Sequence, residues 1–354
     1  MSNAAPIGFG IVGVGMIAAY HARAIRAASE AHHLHLAGVT GLDAESVRSF
    51  AAKHDVPFHA TDIDALLARP DVQVVCIATP SGAHLEPALK AIAAGKHVII
   101  EKPIEITVQR ADELIAAARA RGVQLSAIFQ ARYGAGARLV KQTLDSGRLG
   151  RLSLASAYVK WHRKPEYYRG WKGTLALDGG GAVMNQAIHA VNLLHWFAGM
   201  PTEVHGRTTR VVHQGIEAED TACASFRFPS GALGVLEATT AAFPGWERRI
   251  ELCGEFGSIA LEDDRIVRWD FANEQPDDEA IRARAAQQQA ASGAGAPDQI
   301  NFDGHQRQIV EMADAIRSGV PLPTPVEEAR NTVALVCALY ESARTGLPVQ
   351  LSGR

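Results

Sequence analysis

The stretch IGFGIVGVGMIAAYHARAI, residues 7–25, decides how the chain folds. An apolar run of strand length, Ile7 to Val12, ends in Gly13-Val14-Gly15-Met16-Ile17-Ala18, a GxGxxA turn, and apolar residues then recur at helical spacing. A strand handed through glycines into a helix opens a βαβ unit. The same grammar continues outward. LHLAGVT (34–40), DVQVVCIAT (71–79), KHVIIEKP (96–103) and VQLSAIF (123–129) read as strands. Between them DAESVRSFAAKH, HLEPALKAIAAG and VQRADELIAAARARG have helical spacing. Continuous apolar strands alternating with helices predict a parallel sheet covered on both faces, and the connection rules make it doubly wound. The first domain is read as residues 1–128.

Past about residue 130 the grammar changes. After a helix over 135–146, RLSLASAYVK, TEVHGRTTRVVH, DTACASFRF, ALGVLEATT and RRIELCGEFGSIAL read as successive strands. The turns FPSGA and GEFGS join them as antiparallel hairpins. A helix lies within residues 178–198, and two more close the chain over 305–318 and 325–345. The low-complexity segment ARAAQQQAASGAGAPDQ (283–299) is expected to be a mobile insertion. The second domain is read as residues 129–354 and is α+β.

Composition narrows the function classes. Hydrophobic content of 47% and charged content of 21% describe an ordered globular protein. No apolar run reaches the length of a membrane span, and MSNAAPIGFG has no basic-then-apolar leader, so a cytoplasmic location is expected. A net charge of −3 supplies no field for nucleic acid. Cys76, Cys223, Cys253 and Cys337 are far apart and show no ligand spacing, so they are expected to be reduced core residues, and no metal site is expected.

The glycine turn points to chemistry. Gly13 permits the tight turn, Gly15 admits a pyrophosphate to the backbone, and Ala18 keeps helix and strand close. The helix start, with Met16 and Ile17, then offers free N–H groups to phosphate. The cofactor expected is NAD or NADP. Thr40-Gly41-Leu42-Asp43, at the end of the second strand, carries no base for a ribose phosphate, and Asp43 reads equally as a helix N-cap, so NAD is only slightly favoured. Ligands of open α/β sheets bind at the carboxyl ends of strands, which makes Thr79, Pro80, Glu101 and Lys102 cofactor-site candidates. Pro103 biases Lys102 towards extended geometry. His84 either lines the cofactor site or sits in the first turn of its helix.

In the second domain Asn185, His189 and Asn192 fall at i, i+4 and i+7 of an otherwise apolar helix preceded by Gly179-Gly180-Gly181. A buried polar stripe must meet partners or a ligand. Trp161, Tyr168 and Trp171, interleaved with basic residues, read either as walls of a ligand site or as surface-loop residues.

Together, GxGxxA, ATPSGAHLEPALKAIAAGKHVIIEKP, GGGAVMNQAIHAVNLL and the closing AIRSGVPLPTPVEEARNTVALVCALYESARTGLPV resemble the Gfo/Idh/MocA family of sugar and cyclitol oxidoreductases over nearly the whole chain. The resemblance implies a Rossmann domain followed by a domain with a large, mostly antiparallel open sheet that forms oligomer contacts, hence a homodimer or homotetramer. It implies hydride transfer between nicotinamide and a secondary alcohol or ketone of a sugar, sugar derivative, nucleotide sugar or cyclitol. By position Lys102 matches the family lysine near the reacting hydroxyl, and His189 the acid/base histidine. Arg132 falls where such chains often place a substrate arginine. Asn185 stands where many members have Asp, which puts any Asp-assisted proton relay in doubt. Two alternatives remain: an NAD-dependent glycosidase using transient oxidation, and a sugar- or nucleotide-sensing regulator without catalysis.

Overall fold

A computed structural model describes residues 5–287 and 302–351, so most of the low-complexity segment lies outside the described residues. The chain divides into two compact units, residues 1–130 with 302–330, and residues 131–301 with 331–354.

The first unit contains β1 (Ile7–Val12), α1 (Met16–His32), β2 (Leu34–Thr40), α2 (Ala44–Lys53), β3 (His59–Ala60) and α3 (Ile63–Leu67). It continues through β4 (Val74–Ile77), α4 (Leu85–Ala93), β5 (His97–Ile100), α5 (Val108–Arg121) and β6 (Leu125–Ala127). The strands form one parallel sheet in the order β3-β2-β1-β4-β5-β6, which reverses between β1 and β4. That reversal opens a crevice at the carboxyl ends of the central strands. The sequence reading missed β3 and α3, since a partly exposed two-residue strand carries no period to read.

The second unit contains α6 (Ala135–Asp145), β7 (Leu152–Lys160), a six-residue π-helix (Ala182–Ala187) that runs into α7 (Ile188–Ala198), and β8 (Glu203–Thr209). Then come β9 (Thr221–Arg227), β10 (Leu233–Thr239), β11 (Arg249–Gly254), β12 (Gly257–Glu262), β13 (Arg265–Phe271) and α8 (Asp278–Gln287). An eight-stranded sheet runs β13-β12-β11-β7-β10-β9-β8-β14, where β14 is Val349–Gln350. Among the described residues of this sheet, only β7 and β10 pair in parallel. Burial alternates along β9, so one sheet face is packed and the other open. Cys223 lies on that outer face and is exposed, and Cys253 and Cys337 are half-buried, so of the four cysteines expected in the core Cys76 alone is buried.

The domain boundary also needs correction. α9 (Asp303–Ser318) returns to the first unit instead of staying in the second. Its Ile309, Met312 and Ala313 share one core with Ala18, Ala22 and Ile25 of α1. Burying Ile309 and Met312 completely is worth roughly 3–6 kcal/mol, ample reason for the chain to come back. α10 (Glu327–Thr345) closes the chain, and no described helix is long and apolar enough to cross a membrane.

Candidate active site

The first unit gathers its candidates at the carboxyl edge of the parallel sheet. Gly13 adopts φ +109°, and a Cβ there would stand 2.4 Å from the Ala78 carbonyl oxygen, so only glycine fits. A Cβ on Gly15 would meet nothing within 4 Å, which leaves open space over the turn. Asp43, Asp62 and Thr107 cap α2, α3 and α5, and Glu105 accepts the first N–H of α4. α1 instead starts on Gly15 with no side-chain cap and no acid in its first turn. Uncapped N–H groups, the helix dipole and free space together fit a dinucleotide pyrophosphate. Met16 is exposed and Ile17 half-buried beside the turn. Asp43 accepts the Ser46 N–H at 2.7 Å, and that bond holds its carboxyl below the ordinary carboxylate value.

Thr79 donates its hydroxyl to the Ala83 carbonyl at 3.0 Å, and Pro80 leads into a short 3₁₀ turn. His84 is 1% exposed, with Nδ1 2.9 Å from the Pro103 carbonyl and Nε2 3.1 Å from the Thr79 carbonyl. The imidazole therefore belongs to the frame tying the two strand exits, not to their surface.

At the next exit Glu101 continues the ladder, its N–H donating to the Ile77 carbonyl at 3.0 Å. Its side chain turns inward and is buried. Oε1 accepts from His21 Nε2 at 2.9 Å and from His305 Nε2 at 3.2 Å, while Oε2 accepts the Lys102 backbone N–H at 3.2 Å. Burial alone would raise the Glu101 carboxyl. The hydrogen bonds and charge of His21 and His305 outweigh it and hold the group well below the usual carboxylate range. His21 is raised to about 9, since Cys76 and Glu101 together overcome the burial that opposes its charge. Lys102 is half-buried and followed by a cis peptide bond to Pro103. Among the described residues His21, Glu101 and His305 are the one group whose donor atoms approach metal-ligand spacing. The sequence reading foresaw no such cluster because its members lie 80 and 204 positions apart.

The second unit arranges its candidates around the glycine run. A Cβ on Gly181 would stand 1.9 Å from the Glu219 carbonyl oxygen, and one on Gly180 2.2 Å from the Tyr340 hydroxyl, so the close approach explains the glycines. Glu219 Oε2 accepts the Gly181 N–H at 3.0 Å, and Oε1 accepts from Val183 N–H and Tyr340 hydroxyl, both at 2.8 Å. This carboxylate caps the π-helix from another part of the chain. Asn185 sits in the π-helix, whereas His189 and Asn192 sit in α7, so the expected single α-helical stripe is broken between them. Asn192 is buried; it accepts from Arg132 Nε at 2.6 Å and donates to Thr332 at 2.9 Å. Arg132, itself buried, also lies over the Trp196 ring.

Asn185 belongs to a network that the sequence did not show. Its amide donates to Asp178, and its oxygen accepts from Tyr167 hydroxyl at 3.2 Å and from Gln186 at 2.6 Å. Gln186 in turn accepts from buried Arg163 at 2.7 Å. Asp178 is fully buried and also accepts the Gly173 N–H at 2.7 Å. A carboxylate is thus present beside Asn185, supplied from just before the glycine run. Its position next to that run was the available signal. Burial raises the Tyr167 phenol, with the Asp178 charge adding to it. His189 is 7% exposed. Of the aromatic candidates, Trp161 is buried under the Arg163 guanidinium, Tyr168 donates to Thr240 at 2.7 Å, and Trp171 is half-buried.

Comparison with known proteins agrees with this architecture. The family described as an oxidoreductase family with an NAD-binding Rossmann fold matches residues 7–129, and the GFO/IDH/MocA C-terminal domain matches residues 137–260. The crystal structure of the WlbA dehydrogenase from Bordetella pertussis, in complex with NADH and UDP-GlcNAcA, superposes with a TM-score of 0.89 at 31% identity over 100% of both chains. Inositol 2-dehydrogenase of Ralstonia nicotianae is 30% identical over 73% of this chain and 74% of its own. The 2,7-anhydro-N-acetylneuraminate hydratase of Mediterraneibacter gnavus is 30% identical over 72% and 67%. Glycine turn, strand exits, glycine-led helix and both matched domains place the chain in the GFO/IDH/MocA family of NAD-binding oxidoreductases.

Proposed function

We propose that the protein exchanges hydride between NAD(H) and a secondary hydroxyl of a nucleotide-linked sugar, with Lys102 and His189 as its catalytic residues. The full-length likeness at 31% identity to a dehydrogenase bound to NADH and UDP-GlcNAcA supports this substrate class. The bound nicotinamide supplies the hydride acceptor or donor. The glycine turn and the uncapped start of α1 hold the pyrophosphate. The Lys102 ammonium stabilises alkoxide character on the reacting oxygen. His189 takes the hydroxyl proton during oxidation and returns it during reduction. Asn185, fixed by Asp178 and Gln186, presents an amide of set orientation. Asn185 cannot hold the proton itself. Arg132, Trp161, Tyr168 and Trp171 of the second unit contact the substrate, and NAD is preferred modestly over NADP.

The open face of the eight-stranded sheet is read as the contact between copies, giving a dimer or tetramer. Light scattering is expected to report at least a dimer; a monomer would remove this part of the reading.

A panel of UDP-GlcNAcA, myo-inositol and levoglucosan, each with NAD⁺ and NADP⁺, tests the substrate class at the nicotinamide absorbance. Turnover on UDP-GlcNAcA well above the free sugars is expected, and the reverse order would reject the proposal. The hydratase relative favours one second reading, transient oxidation without net redox. In that case product would form while the nicotinamide absorbance returns to its starting value.

A further inference from the structure

We infer that His21 and His305 are positioning residues for Lys102, acting through the Glu101 carboxylate, and that α9 is thereby part of the first unit's working site. The inference rests on Lys102 being the cation beside the reacting oxygen. It goes further in naming two residues, 284 positions apart, that hold the lysine's backbone in place without touching substrate.

The carboxylate works as a three-way tie. One oxygen takes both imidazole Nε2 atoms, at 2.9 and 3.2 Å, and the other takes the Lys102 N–H at 3.2 Å. Glu101 is 4% exposed, His21 0% and His305 1%, so no water can substitute for a lost donor without rearrangement. The imidazoles are held by helix packing: α1 and α9 share a core, and the two rings meet edge-to-face at 5.4 Å. His21 lies on the helix opened by the glycine turn, so the clamp joins the pyrophosphate helix, the lysine's strand exit and the returning helix α9.

A metal ion is the competing occupant of this cluster. Metal-bound histidines donate their second N–H to an acceptor. Nδ1 of His21 and Nδ1 of His305 are both buried without a hydrogen-bond partner. A metal held on the two Nε2 atoms would fix both remaining N–H groups at these positions without an acceptor, whereas donation through Nε2 places the N–H groups on the Glu101 carboxylate. The geometry therefore favours protons over a metal ion between these groups.

Amide hydrogen exchange on the cofactor-free protein tests the clamp without substrate. His305→Leu removes one donor and is expected to speed exchange of the Lys102 N–H by about tenfold or more. His305→Gln restores an N–H at similar reach and is expected to recover the protection. With the substrate that the panel identifies, His305→Leu should lower kcat by about ten- to a hundredfold while the KM for NAD moves by less than about threefold. His305→Gln should regain most of that kcat. Unchanged Lys102 exchange in a folded His305→Leu protein, or equal loss of kcat in the Leu and Gln variants, overturns the inference. Should His305→Leu fail to fold, His305→Asn takes its place, polar but too short to reach Glu101, with the same expected and overturning results. Stoichiometric zinc in the purified protein, with faster Lys102 exchange on chelation, overturns it in favour of a metal centre. Failure of the parent reading is distinguishable. A fully active Lys102→Ala protein removes the lysine's role, whereas inactive Lys102→Ala beside fully active His305→Leu removes only that of the histidines.

Discussion

Two buried glutamates, one in each unit, perform the same mechanical task with their carboxyls shifted in opposite directions. Glu101 ties down the backbone where a strand delivers Lys102, and Glu219 ties down the backbone where the glycine run enters the helix of His189. Burial pushes both carboxyls upward. Glu101 nevertheless ends well below the usual range, because its donors are imidazoles that can carry charge. Glu219 ends raised, because backbone amides and the Tyr340 hydroxyl lower it too little to offset burial. Burial alone does not decide the charge of an interior acid; the kind of donor it meets does.

The largest expected effect tests whether these two anchors serve catalysis. Lys102→Ala and His189→Ala should each lower kcat by roughly a hundred- to ten-thousandfold, measured by steady-state kinetics with folding checked by circular dichroism. Near-wild-type turnover in either variant would leave its anchor purely structural. Next in size is the contrast in stability. Glu101→Gln should cost about 3 kcal/mol in urea unfolding near neutral pH, since it breaks a buried charged group away from its partners. Glu219→Gln should cost less, about 1 kcal/mol, since burial already favours the uncharged form of this carboxyl. Equal costs would erase the distinction between the two sites.

The pH dependence should separate them further, by at most about 1.4 kcal/mol per pH unit for each proton linked. The Glu101 value is depressed, so its contribution is present above 4.5 and is lost as pH falls through the folded value. The Glu219 value is raised, so its contribution is full below 4.5 and is lost as pH rises through the folded value. His21 is raised from 6.5 to about 9, so its contribution is full below 6.5 and fades towards pH 9. Urea titrations across this range should therefore show that His21→Gln flattens the alkaline decline, and that Glu219→Gln flattens the decline just above pH 4.5. A His21→Gln curve that runs parallel to wild type would show that this histidine is not charged in the fold. The smallest effect concerns the cofactor's far end. Gly41→Asp places an acid beside Val47, whose methyl would lie 3.0 Å from the new Cβ, and should sharpen the preference for NAD by about two- to fivefold. A shift towards NADP would mean that this position does not face the ribose.

What the sequence determined by itself was whatever is local or periodic. Ile7 to Ala18 declared a strand, a glycine turn and a helix, because each signal lies within one turn of chain. The apolar strands of the first unit and the FPSGA and GEFGS hairpins were legible for the same reason, and EKP marked a charged strand exit. Long-range placement was not legible. No spacing in the chain says that α9 returns to pack on α1, since that follows from where an apolar face finds matching surface. Only the folded chain could bring His21 and His305 onto one oxygen of Glu101, or Asp178 onto Asn185 across the glycine run. The π-helix also escaped, because the apolar pattern around Asn185 suits a six-residue widening as well as a regular helix. A hydrogen bond needs two groups near 3 Å apart, and sequence order constrains that distance only for neighbours in the chain.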